Sequence, residues 1–203
     1  MSVIAVMAVA AWAYLLGSFP SGYLVGRLWR VNVLERASGR TGGTNVFRSA
    51  GIAAALLTGA LDVGKGFLAV WLTGQLISNP LMLVVAGTAV ILGHNYSIFL
   101  GFHGGGGVAA SLGALGAIHL PVAAGLLVLL LLVIAATRYA SVGSLTVVTL
   151  MPITLLILGL IGTLPLIYTL YGALAWVIIV YAHRPNIQRL MQGTERRLGQ
   201  TRE

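Results

Sequence analysis

Apolar positions in this chain do not alternate with polar ones, as half-buried strands would require. They come in unbroken runs of about the length that crosses a bilayer. Clear runs cover about 3–24, 52–76, 81–100, 140–161 and 163–182. The stretch 108–137 is harder to count, because thirty residues exceed one crossing of roughly 20 and fall short of two. Pro121 stands near its middle, preceded by His119. Division there gives short helices over 108–120 and 122–137. The pattern therefore predicts an all-α, polytopic transmembrane bundle of seven spans, forming one domain over residues 1–203.

Charge decides between six and seven spans. With seven, the loops 27–48, 101–107 and 138–139 and the tail from 183 share one side. Those pieces hold eleven of the twelve Lys and Arg residues, and the twelfth, Lys65, lies inside a span. The opposite face has only the turns at Asn79-Pro80, His119–Pro121 and Gly162-Thr163, with no charge. Six spans would put Arg138 outside and move the arginine-bearing tail away from the first loop. The positive-inside rule then sets the N-terminus outside and the C-terminus in the cytoplasm. The first apolar segment has no basic residue before it and is followed by Arg27 and Arg30, the reverse of a cleavable signal peptide.

Composition agrees with lipid as the solvent. The 203 residues are 58% hydrophobic and 8% charged, with mean hydropathy +0.97. A soluble domain carries roughly a quarter charged residues. The net charge of +8 marks topology and attraction to anionic membrane lipids, not nucleic acid. There is no cysteine, hence no disulfide or thiolate metal site. HExxH motifs, carboxylate clusters and Ser-His-Asp spacings are also missing, which leaves metal and triad chemistry without support.

Four polar clusters fall on the cytoplasmic side. In Glu35–Arg48, "ERASGRTGGTNVFR", small residues lie between Arg36, Arg40 and Arg48. Such a loop can turn N–H groups toward an oxyanion while guanidinium forks take phosphate oxygens; it can equally be a hydrophilic connector. Asp62 and Lys65 in "LDVGKG" share a helix face inside a span. Ionisable groups there suggest function, though a mutual ion pair that pins helices is the favoured reading for Asp62. The run Gly104–Gly107 gives close backbone approach and free N–H groups at a helix start; the alternative is a turn followed by small-residue packing through Gly113 and Ala117. Finally, His183 and Asn186 are one helical turn apart, able to face one pocket or merely to lie at the interface.

Together these clusters resemble the bacterial acyl-phosphate-dependent glycerol-3-phosphate acyltransferases of the membrane-embedded, seven-span type. "GSFPSGYLVGR" at Gly17–Arg27 is similar to the family's GS-x-P-x-G-Y-L. "SGRTGGTNVFR" at Ser38–Arg48 resembles SGN-x-GATNVLR, and "LDVGKG" resembles LD-x-x-KG. "GHNYSIFLGFHGGGGVA" is similar to GH-x-x-PVFLGFKGGKGVA, and "HRPNIQRLMQGTERRLG" to HR-x-NI-x-RLL-x-GTE. The five motifs occur in order over residues 17–199.

The resemblance implies acyl transfer from acyl phosphate to the 1-hydroxyl of glycerol 3-phosphate, giving lysophosphatidic acid and phosphate, with no metal or other cofactor. It implies catalytic roles for Ser38, Arg48, His183 and Asn186. Substrate and phosphate contacts would come from Arg40, Gly43, Thr44, Asn45, His103, Gly104, Gly105 and Gly106. The site would lie on the cytoplasmic face of the inner membrane. The chain departs from the pattern at His103 and Gly106, where the family typically has lysines, and at Arg40, Thr41, Gly43 and Ser97. Either Arg40 restores the missing cation or the chain is a paralogue of weakened activity. On the first reading Gly106→Lys raises turnover only modestly and Arg40→Asn abolishes it. A third reading, an organophosphate or anion transporter, rests on the short helices around Pro121.

Overall fold

In the computed structural model, which describes residues 2–199, the chain is all-α, with nine helices among the described residues. The first apolar run is broken. α1 (Val3–Ser18) starts on Ser2, whose hydroxyl accepts the Ala5 N–H at 3.3 Å. Pro20 cannot donate to the preceding turn, so the helix stops and α2 (Ser21–Leu28) restarts. The carbonyls freed by this break are answered by side chains from elsewhere. Lys65 Nζ donates to the Phe19 carbonyl at 2.9 Å and Ser97 Oγ donates to that of Ser18. Backbone broken inside a membrane protein needs such partners.

α3 (Gly43–Leu76) begins well before the apolar run at 52. At Gly51 the backbone turns to φ 86°, a conformation that glycine adopts freely, and separates a short polar piece from the long span. Asn79 caps α4 (Pro80–Asn95), with proline in the first turn, where its missing N–H costs nothing. A single 3-10 turn, Ile98–Leu100, and the glycine run lead into α5 (Val108–Ile118). His119 is extended and caps α6 (Leu120–Thr137) by accepting the Val122 N–H at 3.3 Å, which separates the two short helices. α7 (Ala140–Leu160), α8 (Tyr168–Ala182) and α9 (Arg184–Met191) complete the chain.

Four stretches are long and apolar enough to cross a membrane: Val3–Leu28, Gly43–Leu76, Leu120–Thr137 and Ala140–Leu160. Pro80–Asn95, Val108–Ile118 and Tyr168–Ala182 are apolar but shorter. Small residues let the backbones meet: a side chain at Gly17 would run into Val90 of α4, and one at Gly113 into Val63 of α3. Close approach of this kind replaces the hydrophobic drive that lipid does not supply. The core lies between α1, α3, α4, α5, α6, α7 and α8, where buried Tyr171 donates to the Ser111 carbonyl at 2.7 Å. Leu127, Val128, Leu131 and Leu132 of α6 face outward.

Asp62 and Lys65 sit in this packed region, 1% and 5% exposed, with Nζ 3.0 Å from Oδ1. The same oxygen accepts from the Ser21 hydroxyl. The pair thus ties α3 to the break between α1 and α2, as the pinning reading expects.

Candidate active site

The glycine run is seated on the end of α4. Gly105 N–H donates to the His94 carbonyl at 3.0 Å, and Thr41 N–H donates to that of Gly104 at 3.2 Å. The second bond draws the loop 29–42 over the turn, so that a side chain at Gly42 would touch Gly105 and Gly106 at 3.9 and 3.8 Å. The starts of α3 and α5 therefore approach each other. The first amides of each helix have no intrahelical acceptor, and the two positive dipole ends come together where the loop covers the turn.

His183 closes the recess from the opposite side. It ends α8 and is buried, with Nδ1 2.8 Å from the Ile179 carbonyl. A carbonyl only accepts, so Nδ1 carries the proton and the neutral ring keeps its lone pair on Nε2. That edge of the ring faces Gly106, where a side chain would come within 3.0 Å of Cε1 and 3.4 Å of Nε2. Burial pushes the imidazole below its ordinary pKa, and Arg40 nearby adds to the effect against the hydrogen bond to Ile179.

The guanidinium groups of this end are held by carbonyls. Arg40 Nη2 donates to the Ala182 carbonyl, and Arg48 Nη2 donates to that of Arg196 at 3.0 Å. Burial pulls both below the ordinary guanidinium pKa, helped by Arg189 for Arg40 and by Arg196 for Arg48. One carboxylate organises the set. Glu195, 7% exposed, accepts from Ser141 at 2.9 Å, Asn186 at 2.8 Å and Arg189 at 2.7 Å. Burial alone would raise its pKa, but the bonds from Asn186, Arg189 and Ser141 outweigh that and hold it below the ordinary carboxylate range.

An open cavity of about 280 Å³ lies here, lined among others by Ser38, Arg40, Tyr96, His103, Gly104 and Arg184. Ser38 is exposed on its rim. His103 lies at the mouth, its Nδ1 3.0 Å from the Gly101 carbonyl. Gly43 opens α3, and Thr44, next in its first turn, is exposed. Asn45 has a different position from that of a group offered to a ligand. Its amide donates to the carbonyls of Val33 at 2.8 Å and Arg40 at 2.7 Å, and its oxygen accepts the Ser38 N–H at 3.0 Å. It is 3% exposed and shapes the loop that carries Ser38 and Arg40. A separate recess of about 300 Å³, between Phe47, Ile134, Arg138 and Leu198, contains none of the expected residues.

His94, Arg189 and Glu195 lie within the matched motifs but carried no assigned role in the sequence, and Ser141 lies outside them. A further signal was scarcity: Glu195 is one of only four acidic residues in the chain, placed among arginines. Ser141 is one of many small polar residues on an apolar helix and gave none.

A helical membrane protein with a polar cavity lined by Arg40 and Arg184, close to paired helix starts and a buried histidine, has the features of a membrane enzyme that handles anionic substrates. Comparison with known proteins narrows the class. The model of the glycerol-3-phosphate acyltransferase family matches residues 7–193. Glycerol-3-phosphate acyltransferase of Synechococcus sp. (strain JA-3-3Ab) is 43% identical over 192 residues, covering 94% of this chain and 92% of its own. That of Syntrophomonas wolfei is 41% identical, covering 94% and 96%. The crystal structure of PlsY (YgiH), an integral membrane glycerol 3-phosphate acyltransferase, in its glycerol 3-phosphate form superposes with TM-score 0.86 at 33% identity, over 96% of each chain. Its lysophosphatidic acid form gives 0.84. The chain belongs to the glycerol-3-phosphate acyltransferase family and is an integral membrane acyltransferase.

Proposed function

We propose that this enzyme moves an acyl group from acyl phosphate to the 1-hydroxyl of glycerol 3-phosphate, releasing lysophosphatidic acid and inorganic phosphate at the cytoplasmic face of the inner membrane. The names of the relatives and the ligand forms of PlsY support the acceptor and the product. The observation that carries the reading is the meeting of Arg40, the glycine turn and His183: Arg40, Gly104 and Gly105 line one cavity, and the His183 ring faces the next glycine, Gly106. Seven spans, with the N-terminus outside, fit the four long and three shorter apolar segments and the confinement of charge to one end.

In this reading the turn and Arg40 grip the phosphate of glycerol 3-phosphate, and Arg48 and Ser38 meet the donor's phosphoryl group. The 1-hydroxyl oxygen attacks the acyl carbon; the new ester bond forms as the bond to phosphate breaks, and phosphate leaves with the electron pair. The donor is already an activated anhydride, so positioning and charge stabilisation supply much of the rate. The hydroxyl proton passes to a phosphate oxygen. His183, neutral and with Nε2 turned toward Gly106, accepts a hydrogen bond from the attacking hydroxyl and orients it. Asn186, fixed by Glu195, holds the floor of the recess in place.

Purified protein with palmitoyl phosphate and glycerol 3-phosphate should release phosphate and form lysophosphatidic acid. Acyl-CoA and acyl-carrier-protein donors serve as controls. Phosphate release without acylated product, or uptake of labelled glycerol 3-phosphate into sealed proteoliposomes with none, would defeat the assignment.

A further inference from the structure

Four consecutive glycines carry no side chain with which to define their own shape, and their backbone freedom is the largest available to a chain. Something beneath them has to impose the conformation that the recess needs. That support is His94, the penultimate residue of α4 and 4% exposed. Gly104 lies on the His94 and Asn95 carbonyls, and Gly105 N–H is bonded to the first of them at 3.0 Å. The ring's Nε2 edge closes on Gly105 so tightly that no side chain could be added there. On the far side of the ring, Nδ1 is 3.3 Å from Asp62 Oδ1, within ion-pair range but outside hydrogen-bond geometry. Asp62 is itself fixed by Ser21 and Lys65.

We propose that Asp62 and His94 form a positioning pair: the membrane-buried carboxylate sets the ring, and the ring moulds the glycine turn that grips the phosphate of glycerol 3-phosphate. Neither residue touches substrate. Asp62 therefore has a second task besides neutralising Lys65, and the buried ion cluster is coupled mechanically to the recess through one imidazole. The inference rests on the substrate reading given above.

The experiment compares wild type with His94→Asn, Asp62→Asn and the double variant Asp62→Asn/Lys65→Met in lipid nanodiscs. Asparagine at 94 keeps a polar group near Asp62 and removes the atoms that press on Gly105. For His94→Asn and Asp62→Asn, KM for glycerol 3-phosphate should rise about tenfold or more, as small misplacements of binding groups do, while KM for palmitoyl phosphate stays within about twofold. Calorimetric titration with glycerol 3-phosphate alone should show the same loss of affinity. The double variant, which contains no unpaired buried charge, should fold as wild type does and still show the raised KM. Recovery of wild-type KM in the double variant would mean that Asp62 serves Lys65 only, which overturns the pair; so would unchanged KM in His94→Asn. An active wild type is the control that separates these outcomes from failure of the substrate reading, in which wild type neither transfers acyl groups nor binds glycerol 3-phosphate.

Discussion

The two charged regions of this molecule follow opposite rules. Around Asp62 the opposite charges meet directly: Lys65 faces Oδ1, which also takes the Ser21 hydroxyl, and the ammonium donates to the Phe19 carbonyl as well, while Oδ2 is buried without a hydrogen-bond partner. Around Glu195 one carboxylate faces Arg189 in direct contact, with Arg40 and Arg48 near enough to feel it. The first region is buried with its charges paired; the second, among the described residues, sets several guanidinium groups against one carboxylate. A cation in a membrane bundle can therefore be a structural pin or a binding group, and its local charge balance distinguishes the two.

The largest effect should come from unbalancing the buried pair. Asp62→Leu leaves the Lys65 ammonium buried without its partner and should cost about 3–5 kcal/mol of stability, read as a lower unfolding temperature in detergent. Asp62→Leu/Lys65→Met should recover most of it, because a buried pair replaced by apolar residues is often neutral. Survival of the single variant at wild-type stability would break the contrast.

In the recess, Arg40→Asn should lower kcat/KM for glycerol 3-phosphate by about ten- to a hundredfold, the value of one charge-assisted hydrogen bond, with no comparable loss of stability. Gly106→Lys sharpens the comparison. A side chain at 106 would lie 3.0 Å from His183 Cε1, a contact that the ring relieves by giving a few tenths of an ångström. Turnover should rise by less than about tenfold if Arg40 already supplies the cation, and a fall would show that the ring cannot give way.

Glu195→Gln keeps the shape and removes the charge that gathers Asn186, Arg189 and Ser141. Turnover should drop by about tenfold, with the loss reduced when Arg189→Gln is added, since hydrogen bonds to charged groups are worth more than neutral ones. Additive losses would mean that the three contacts do not act as a unit.

The smallest effect is in pH. Because burial lowers the His183 pKa, the ring stays neutral until pH falls below the usual value of about 6.5. Below that value the unfolded chain binds a proton that the native chain refuses, so this histidine's contribution to stability is present at neutral pH and lost on acidification. The acid limb of kcat/KM should lie below 6.5, and His183→Gln should remove it. An acid limb at or above 6.5 would show that the ring is not desolvated in the working enzyme.

Much of this was legible along the chain. Unbroken apolar runs and one-sided arginines gave helices in lipid, because neither feature depends on which helices are neighbours. His119 and Pro121 marked a helix boundary, since the backbone chemistry of proline is local. The ion pair of Asp62 and Lys65 was readable from its three-residue spacing. The break at Phe19-Pro20, on the other hand, lay inside an apolar run that looks like one crossing, and the carbonyls it frees are met by Lys65 and Ser97 from other parts of the chain.

The amino-acid order by itself determined the solvent, the helical class and the list of groups able to hold phosphate, all of which follow from hydropathy, charge and residue type. Packing alone decided which of them meet. It bound Asn45 into its own loop, set Glu195 between Ser141 and Asn186, and pressed His94 and His183 against neighbouring glycines. The Glu195–Ser141 contact spans 54 positions, and even the nearer ones take their geometry from loops and helices packed together, which no local pattern encodes.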